Sequence, residues 1–154
     1  MTEKDGYFEI LDGFPADVIA VSAHGHIGRE DYEDKLIPFV EGVIGKEGKV
    51  RLLYVVGPDF EGFSAGAAWD DAKLGLMHLG DFTRVAVVTD IDWIRMGMKM
   101  FAPMMRGPVR VFAYSDLDKA KDWIAAPDDA HDDHQMDVAA DHKIPPLEDK
   151  GPIR

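Results

Sequence analysis

Residues 50–56, VRLLYVV, form an almost continuous apolar run. Successive side chains of a β-strand point to opposite faces, so a run without alternation predicts a strand that is covered on both sides. Strands of this kind occur in parallel sheets whose two faces are packed with helices. This segment therefore constrains the chain to the α/β class more strongly than any other stretch does.

Shorter apolar runs and helical periodicities flank this strand. We predict further strands at residues 7–11, 18–25, 84–89 and 109–113, and helices at 28–45, 64–79, 92–101 and 117–126. The alternation predicts an α/β fold with a five-stranded, mostly parallel sheet, one antiparallel edge strand (the first) and helices on both faces. Pro38 should kink the first helix near Asp34. Residues 57–63 are predicted to be a loop.

The composition changes at Pro127, which divides the chain into two parts. Residues 1–126 are predicted to form the α/β domain. Residues 127–154 hold eight acidic and three basic side chains and few large apolar ones, which predicts a partly disordered acidic tail.

The charge balance and the residues that are missing exclude several classes of protein. The formal net charge is −12, which argues against nucleic-acid binding. The chain has no cysteine, so disulfides and thiolate metal sites are excluded. The N-terminus lacks the pattern of a secretory signal, and no apolar run is long enough to span a membrane. We therefore expect a cytoplasmic protein.

Residues 92–108, DWIRMGMKMFAPMMRGP, combine apolar and basic character to an unusual degree. They contain five of the eight methionines, and every charge after Asp92 is positive. Helical spacing brings together Trp93, Met96, Met100 and Met104. This apolar stripe is wider than one buried helix face requires.

A methionine-rich basic helix suits contact with an apolar ligand and with an anionic membrane surface. Methionine is flexible and polarizable, and Trp and Arg favour the headgroup boundary. We expect Arg95, Lys99 and Arg106 to meet anionic headgroups, each contributing about 1 kcal/mol. A homodimer interface and simple burial in the core are the alternative interpretations of the same stripe.

Two aromatic residues strengthen the hypothesis of an apolar site. Phe60 and Phe63 lie in the predicted loop beyond the carboxyl end of a strand, where open α/β sheets bind ligands, and are placed to cap a cavity. The alternative interpretation is that these two side chains anchor the loop to the core. The candidate ligand-binding residues are Phe60, Phe63, Trp69, Trp93, Met96, Met100, Phe101 and Met104.

The order of elements, with three segments, resembles a known family. The segments are VIAVSAHGHIGREDYEDKLIPFVE, VRLLYVVGPDFEGFSAGAAWDDAKLG and RVAVVTDIDWIRMGMKMFAP. Over residues 5–126 the chain resembles the SpoIIAA-like proteins, which are related to STAS domains and, more distantly, to CRAL-TRIO lipid-transfer domains. The resemblance implies apolar-ligand binding or membrane association rather than a known reaction.

The resemblance also implies an alternative, a STAS-like signalling module that docks a protein partner. In STAS anti-sigma-factor antagonists a phosphorylated serine lies near the start of the helix after the corresponding strand, and Ser64 occupies that place here. Its flanks, Phe-Ser-Ala-Gly, depart from the Asp-Ser-Ser-Gly type of pattern in those regulators. A helix N-cap is the competing role for Ser64.

The sequence carries no strong enzyme signature, such as a phosphate-binding loop, a nucleophile elbow or a zinc-protease motif. His24 and His26 flank a glycine at a strand end, where a structural role is favoured over metal binding or proton transfer. A solvated tail explains the histidines at residues 131–142 without a functional metal. We expect a non-enzymatic protein without cofactor or metal, peripheral on the inner membrane face, that binds an apolar small molecule or lipid.

Overall fold

The structure is a computed structural model that describes residues 6–78, 80–105 and 107–127. Its sheet has the strand order β1-β2-β3-β4-β5. The strands are β1 (Tyr7–Ile10), β2 (Val18–Ile27), β3 (Val50–Phe63), β4 (Phe82–Thr89) and β5 (Val109–Phe112). The first pair is antiparallel and the others are parallel. The predicted α/β fold with one antiparallel edge strand is confirmed.

The α-helices of the described residues are α1 (Ile37–Glu47), α2 (Ala65–Met77), α3 (Asp92–Phe101) and α4 (Leu117–Ala125). A π-helical segment, Asp31–Leu36, leads into α1, and the Ile37 N–H bonds to the Tyr32 carbonyl five residues back. Pro38 has no N–H to donate to the carbonyl of Asp34. The irregularity predicted there therefore takes the form of π-helical turns.

Two apolar cores lie on opposite faces of the sheet. Strand residues alternate between them, so Val21 and Val87 belong to one core, and Ala20 and Val88 to the other. Side chains from the π-helical segment and α1, α2 and α3 complete the first core. Those of α4, including Trp123, complete the second. Both faces are covered by helices, as predicted.

The predicted loop at residues 57–63 is wrong, because β3 continues through these residues. β2 extends beside it, with Gly25 opposite Phe60 and His26 opposite Gly62, and the register shifts around Gly25. Gly25 and Gly62 have φ values of 68° and 130°. Other residues rarely adopt such values, so the glycines that suggest a turn here permit a bulge within the ladder.

Two buried arginines fix the end of α4 against the sheet. Arg51 donates to Asp17 through Nε (3.0 Å) and Nη2 (2.6 Å), and its Nη1 donates to the Ala126 carbonyl at 2.8 Å. Arg84 donates to the Trp123 carbonyl at 2.7 Å. The last carbonyls of a helix have no hydrogen-bond donor within the helix, and these guanidinium groups supply donors to them.

Two further predictions concern the acidic tail and membrane-spanning segments. Beyond Pro127, the predicted acidic tail lies outside the described residues, and so do its histidines. In the part of the chain that the structure describes, no helix is long and apolar enough to cross a membrane.

Candidate ligand-binding site

A partly enclosed pocket of about 320 Å³ lies between the sheet and helices α1, α2 and α3. Alternate residues of β3 and β4 form its floor, and the helices form its walls. Small-molecule sites occupy about 300–1,000 Å³, so this pocket is of the size that takes a small ligand. The lining residues are Leu36, Val40, Leu52, Tyr54, Val56, Phe63, Asp71, Phe82, Val85, Val87, Trp93, Ile94, Gly97, Met98, Phe101 and Met105.

Small residues in the covering helices explain why this space is not filled by the protein itself. Among the α2 side chains that the structure describes, the small Ala67 belongs to the core, and α3 presents Gly97 to the pocket. A Cβ atom added to Gly97 would meet nothing within 4 Å. The lining side chains forgo dispersion contacts on that side, which a bound apolar molecule would restore.

Aromatic side chains connect the deep end of the pocket to its surface. Phe63, at the end of β3, has ring-centroid distances of 6.1 Å to both Tyr32 and Trp93. Tyr32 is fully buried, whereas 60% of Trp93 is exposed. Phe60 packs against Phe63 at 4.8 Å and is not among the lining residues. Trp93 therefore stands at the mouth of the pocket.

A hydrogen-bonded group of three polar side chains lies at the deep end. The hydroxyl oxygens of Tyr32 and Tyr54 are 2.6 Å apart, and the Tyr32 hydroxyl donates to Asp71 Oδ1 at 2.8 Å. Tyr54 and Asp71 line the pocket. The remaining wall is almost wholly apolar, so these groups give the pocket a polar end.

Asp71 is accessible to solvent and yet has a raised pKa. Burial raises the pKa of its carboxyl above 3.8, and the hydrogen bond from Tyr32 offsets this only in part. Because Asp71 lines the pocket, we ascribe its accessibility to the pocket interior, with protein atoms around it. Burial also raises the pKa of Tyr32 and of Tyr54 well above 10.0, so both hydroxyls stay neutral at neutral pH.

The methionine-rich segment, residues 92–108, has two faces, one toward the pocket and one away from it. Ile94, Met98 and Phe101 line the pocket, as does Met105 after the helix. We define the outer face of this segment by its exposed side chains. These are Trp93, Met96, Lys99, Met100 and Met104, and Asp92 and Pro103 are exposed beside them.

The structure separates the candidate ligand-binding residues into three groups. Phe63, Trp93 and Phe101 line the pocket, and Phe60 contacts the Phe63 ring without lining the pocket. Met96, Met100 and Met104 are exposed on the outer face, and Trp69 is exposed on α2. The grouping shows which residues a pocket ligand can reach and which face outward.

The three candidate membrane-surface cations differ in their surroundings. Lys99 is exposed on the outer face. Arg95 is half-buried and donates from Nη1 to the Thr89 carbonyl at 2.7 Å, which ties α3 to the end of β4. Arg106 lies outside the described residues. Of the two candidate cations that the structure describes, Lys99 is therefore the more exposed.

The other candidate polar residues make local structural contacts. Ser64 Oγ accepts a hydrogen bond from the Ala67 N–H at 3.0 Å, so Ser64 caps α2. His24 bonds through Nδ1 to Asp59 Oδ2 at 2.8 Å and through Nε2 to Glu9 Oε1 at 2.9 Å. Within the described ranges, no group of three or more acidic or histidine side chains is arranged to hold a metal.

Sequence reasoning missed the polar end of the pocket. Asp71 lies four residues after Ala67, which is fully buried, so helical spacing places both on the same side of α2. That spacing was the available signal. Tyr54 interrupts the apolar run of β3 and was a second one.

The fold and the pocket together define an α/β domain with an apolar chamber between its sheet and its helices. The chain belongs to the SpoIIAA-like family, whose model matches residues 18–125. It is similar to the crystal structure of an uncharacterised protein of the DUF3478 family with a SpoIIAA-like fold from Shewanella loihica PV-4. The TM-score is 0.66 at 27% identity, with 80% of this chain and 98% of that chain covered. No curated protein matches the chain.

Proposed function

We propose that this protein binds an apolar small molecule or lipid without catalysis, and that it reaches the ligand at an anionic membrane surface. The observation that carries the proposal is the pocket of about 320 Å³ whose wall is almost entirely apolar. The same helix, α3, lines this pocket on one side and exposes large apolar side chains on the other.

The pocket volume sets the size of the ligand. A cavity of about 150 Å³ holds benzene, so 320 Å³ corresponds to roughly a dozen non-hydrogen atoms. Each buried methylene group contributes about 0.8 kcal/mol. A medium-length alkyl chain, or the end of a longer one that protrudes at Trp93, therefore gains enough free energy to bind.

The outer face supports the membrane part of the proposal. Met96 and Met100 are 62% and 73% exposed, beside Lys99. On α2, Trp69 and Met77 are exposed as well. Large apolar side chains on a surface commonly mark an interaction site, and a cation among them favours anionic headgroups.

The ligand part is tested by filling the pocket from within. Gly97→Leu places a side chain where a Cβ atom meets no neighbour, and Gly42→Leu does the same on α1, away from the lining residues. We expect octanol binding, followed by NMR titration, to weaken at least ten-fold in Gly97→Leu and to persist in Gly42→Leu. Equal affinity in the two variants would place the ligand elsewhere.

The membrane part is tested by sedimentation with vesicles. We expect binding to phosphatidylglycerol vesicles, weaker binding to phosphatidylcholine vesicles, and a loss of about ten-fold in Lys99→Glu. Lys119→Glu makes the same charge change at an exposed site on α4, across the sheet. Equal losses in both variants would show an effect of net charge alone.

A homodimer that buries the outer face is the competing outcome. It would appear as a dimer in native mass spectrometry that Met100→Asp dissociates, together with no vesicle binding. The same measurement on protein from its native host reports a retained ligand, which adds mass under native conditions only.

We propose a STAS-like signalling module as the second candidate, since membership of the SpoIIAA-like family is compatible with it. Ser64 at the start of α2 would be its phosphorylation site. A phosphate would add mass under both native and denaturing conditions. Intact mass therefore distinguishes this candidate from a retained lipid.

A further inference from the structure

The polar end of the pocket has a defined direction of hydrogen bonding. A tyrosine hydroxyl has one hydrogen, and an ionised carboxylate can only accept. The Tyr32 hydrogen therefore goes to Asp71, 2.8 Å away, and the Tyr54 hydroxyl donates to Tyr32 over 2.6 Å. The chain of donation runs from Tyr54 through Tyr32 to Asp71.

Among the lining residues that the structure describes, this direction leaves acceptors, and no side-chain hydroxyl donor, at the polar end. The hydrogen of Tyr54 is used, so its oxygen offers lone pairs to the pocket. Asp71 Oδ2 offers more, since the described contact from Tyr32 is to Oδ1. Among the described residues no Lys, Arg or His forms an ion pair with Asp71, so none of these side chains supplies a counterion to its charge.

We propose that the ligand has an apolar body and one hydrogen-bond donor head, a hydroxyl or a protonated amine, which bonds to Asp71 beside Tyr54. This inference rests on the proposed function, because it concerns the same pocket. A donor head satisfies a carboxylate whose pocket wall is apolar apart from the tyrosines. A charged or hydroxyl donor to a carboxylate makes a stronger hydrogen bond than a neutral pair does.

The same geometry rejects two related classes of molecule. A pure hydrocarbon brings no donor to Asp71 Oδ2, since the hydrogen bond from Tyr32 goes to Oδ1. An alkyl carboxylate brings a second negative charge beside Asp71, where none of the described side chains supplies a counterion. The pocket is therefore expected to discriminate among heads of similar size on the same chain.

The test uses four probes of nearly equal length: octanol, octylammonium, nonane and octanoate, titrated at neutral pH and followed by NMR. We expect octanol and octylammonium to bind at least ten-fold more tightly than nonane, and octanoate to bind more weakly than all of these. Equal binding of octanol and nonane would overturn the inference while leaving the proposed function intact. Binding of none of the four would overturn both.

Two variants of the same carboxyl separate charge from hydrogen bonding. Asp71→Asn keeps an acceptor oxygen, so octanol should still bind, whereas octylammonium should lose at least ten-fold. Asp71→Leu removes the carboxylate and leaves the Tyr54 oxygen as the acceptor described there, so the preference of octanol over nonane should shrink while nonane still binds. Retained preference in Asp71→Leu would place the head elsewhere. Nonane binding shows in each case that the variant folds with its pocket.

Discussion

The Tyr32 hydroxyl donates a 2.8 Å hydrogen bond to Asp71, and through it the π-helical segment before α1 is joined to α2 at the polar end of the pocket. Tyr32 is fully buried, and Asp71 faces the pocket. A polar contact in this position holds the two covering elements together at the point where apolar packing is missing. It also holds the Asp71 carboxylate in a position where burial disfavours its ionised form.

The cost of that charge leads to a prediction about stability and pH. The pKa of Asp71 is raised in the folded protein, so folding favours its protonated form. Stability is consequently lost as the pH rises from 3.8 through the raised pKa. We expect Asp71→Asn to have a higher Tm than the parent at neutral pH. The difference should shrink as the pH falls toward 4, and a constant difference across this range would contradict the assignment.

Replacement of two helical glycines tests the account of the unfilled space. Gly97 in α3 and Gly42 in α1 both have room for a Cβ atom. Alanine in a helix interior is more stable than glycine by about 0.5–1 kcal/mol. Gly97→Ala and Gly42→Ala should each raise the free energy of unfolding by this amount in urea denaturation. A fall in Gly97→Ala alone would show that the site is already packed.

The pair of Asp17 and Arg51 should make the stability of the protein depend on pH in the acid range. The hydrogen bonds from Arg51 lower the pKa of Asp17 below 3.8, and burial offsets this in part. The contribution is present above 3.8 and is lost as the pH falls through the lowered pKa. Asp17→Asn leaves the buried Arg51 without its counterion, at a cost of about 1–3 kcal/mol. Urea denaturation at pH 7 measures the loss, and an unchanged midpoint would contradict it.

His24 should give a smaller effect of opposite sign near neutral pH. Burial opposes its charge, but the hydrogen bonds and charges of Asp59 and Glu9 outweigh burial and raise its pKa above 6.5. The stabilisation is complete below 6.5 and is lost as the pH rises through the raised pKa. Because both carboxylates are about half exposed, we expect about 1 kcal/mol or less.

The prediction for His24 is checked by removing the imidazole ring in one variant and its two carboxylate partners in another. His24→Gln and the double variant Glu9→Gln with Asp59→Asn should flatten the same part of the curve of Tm against pH. Persistence of the slope in both would assign it to other groups.

The strands and helices were predictable where the signal is local. The apolar run of β3 and the spacing of α3 depend on neighbouring residues only, and α3 begins and ends at the predicted residues. The extension of β3 was not predictable in this way. Whether Gly62 makes a turn or a bulge depends on β2, which continues far enough to pair with it.

The orientation of α3 could not be predicted because both of its sides are apolar. A stripe through Met96 and Met100 and a stripe through Ile94, Met98 and Phe101 meet the same periodicity. Only the sheet determines that the second stripe turns inward. Asp71 was missed for a related reason, since a carboxylate on a helix is usually solvated and its burial depends on the tertiary structure.

Methyl NMR of methionine-labelled protein tests the central claim most directly, because the two faces of the methionine-rich segment carry separate reporters. Met98 and Met105 line the pocket, whereas Met96, Met100 and Met104 are exposed. We predict that octanol shifts the methyl signals of the first two, and that phosphatidylglycerol nanodiscs broaden those of the other three. Octanol shifts confined to Met96, Met100 and Met104, with Met98 and Met105 unchanged, would contradict an apolar ligand in this pocket.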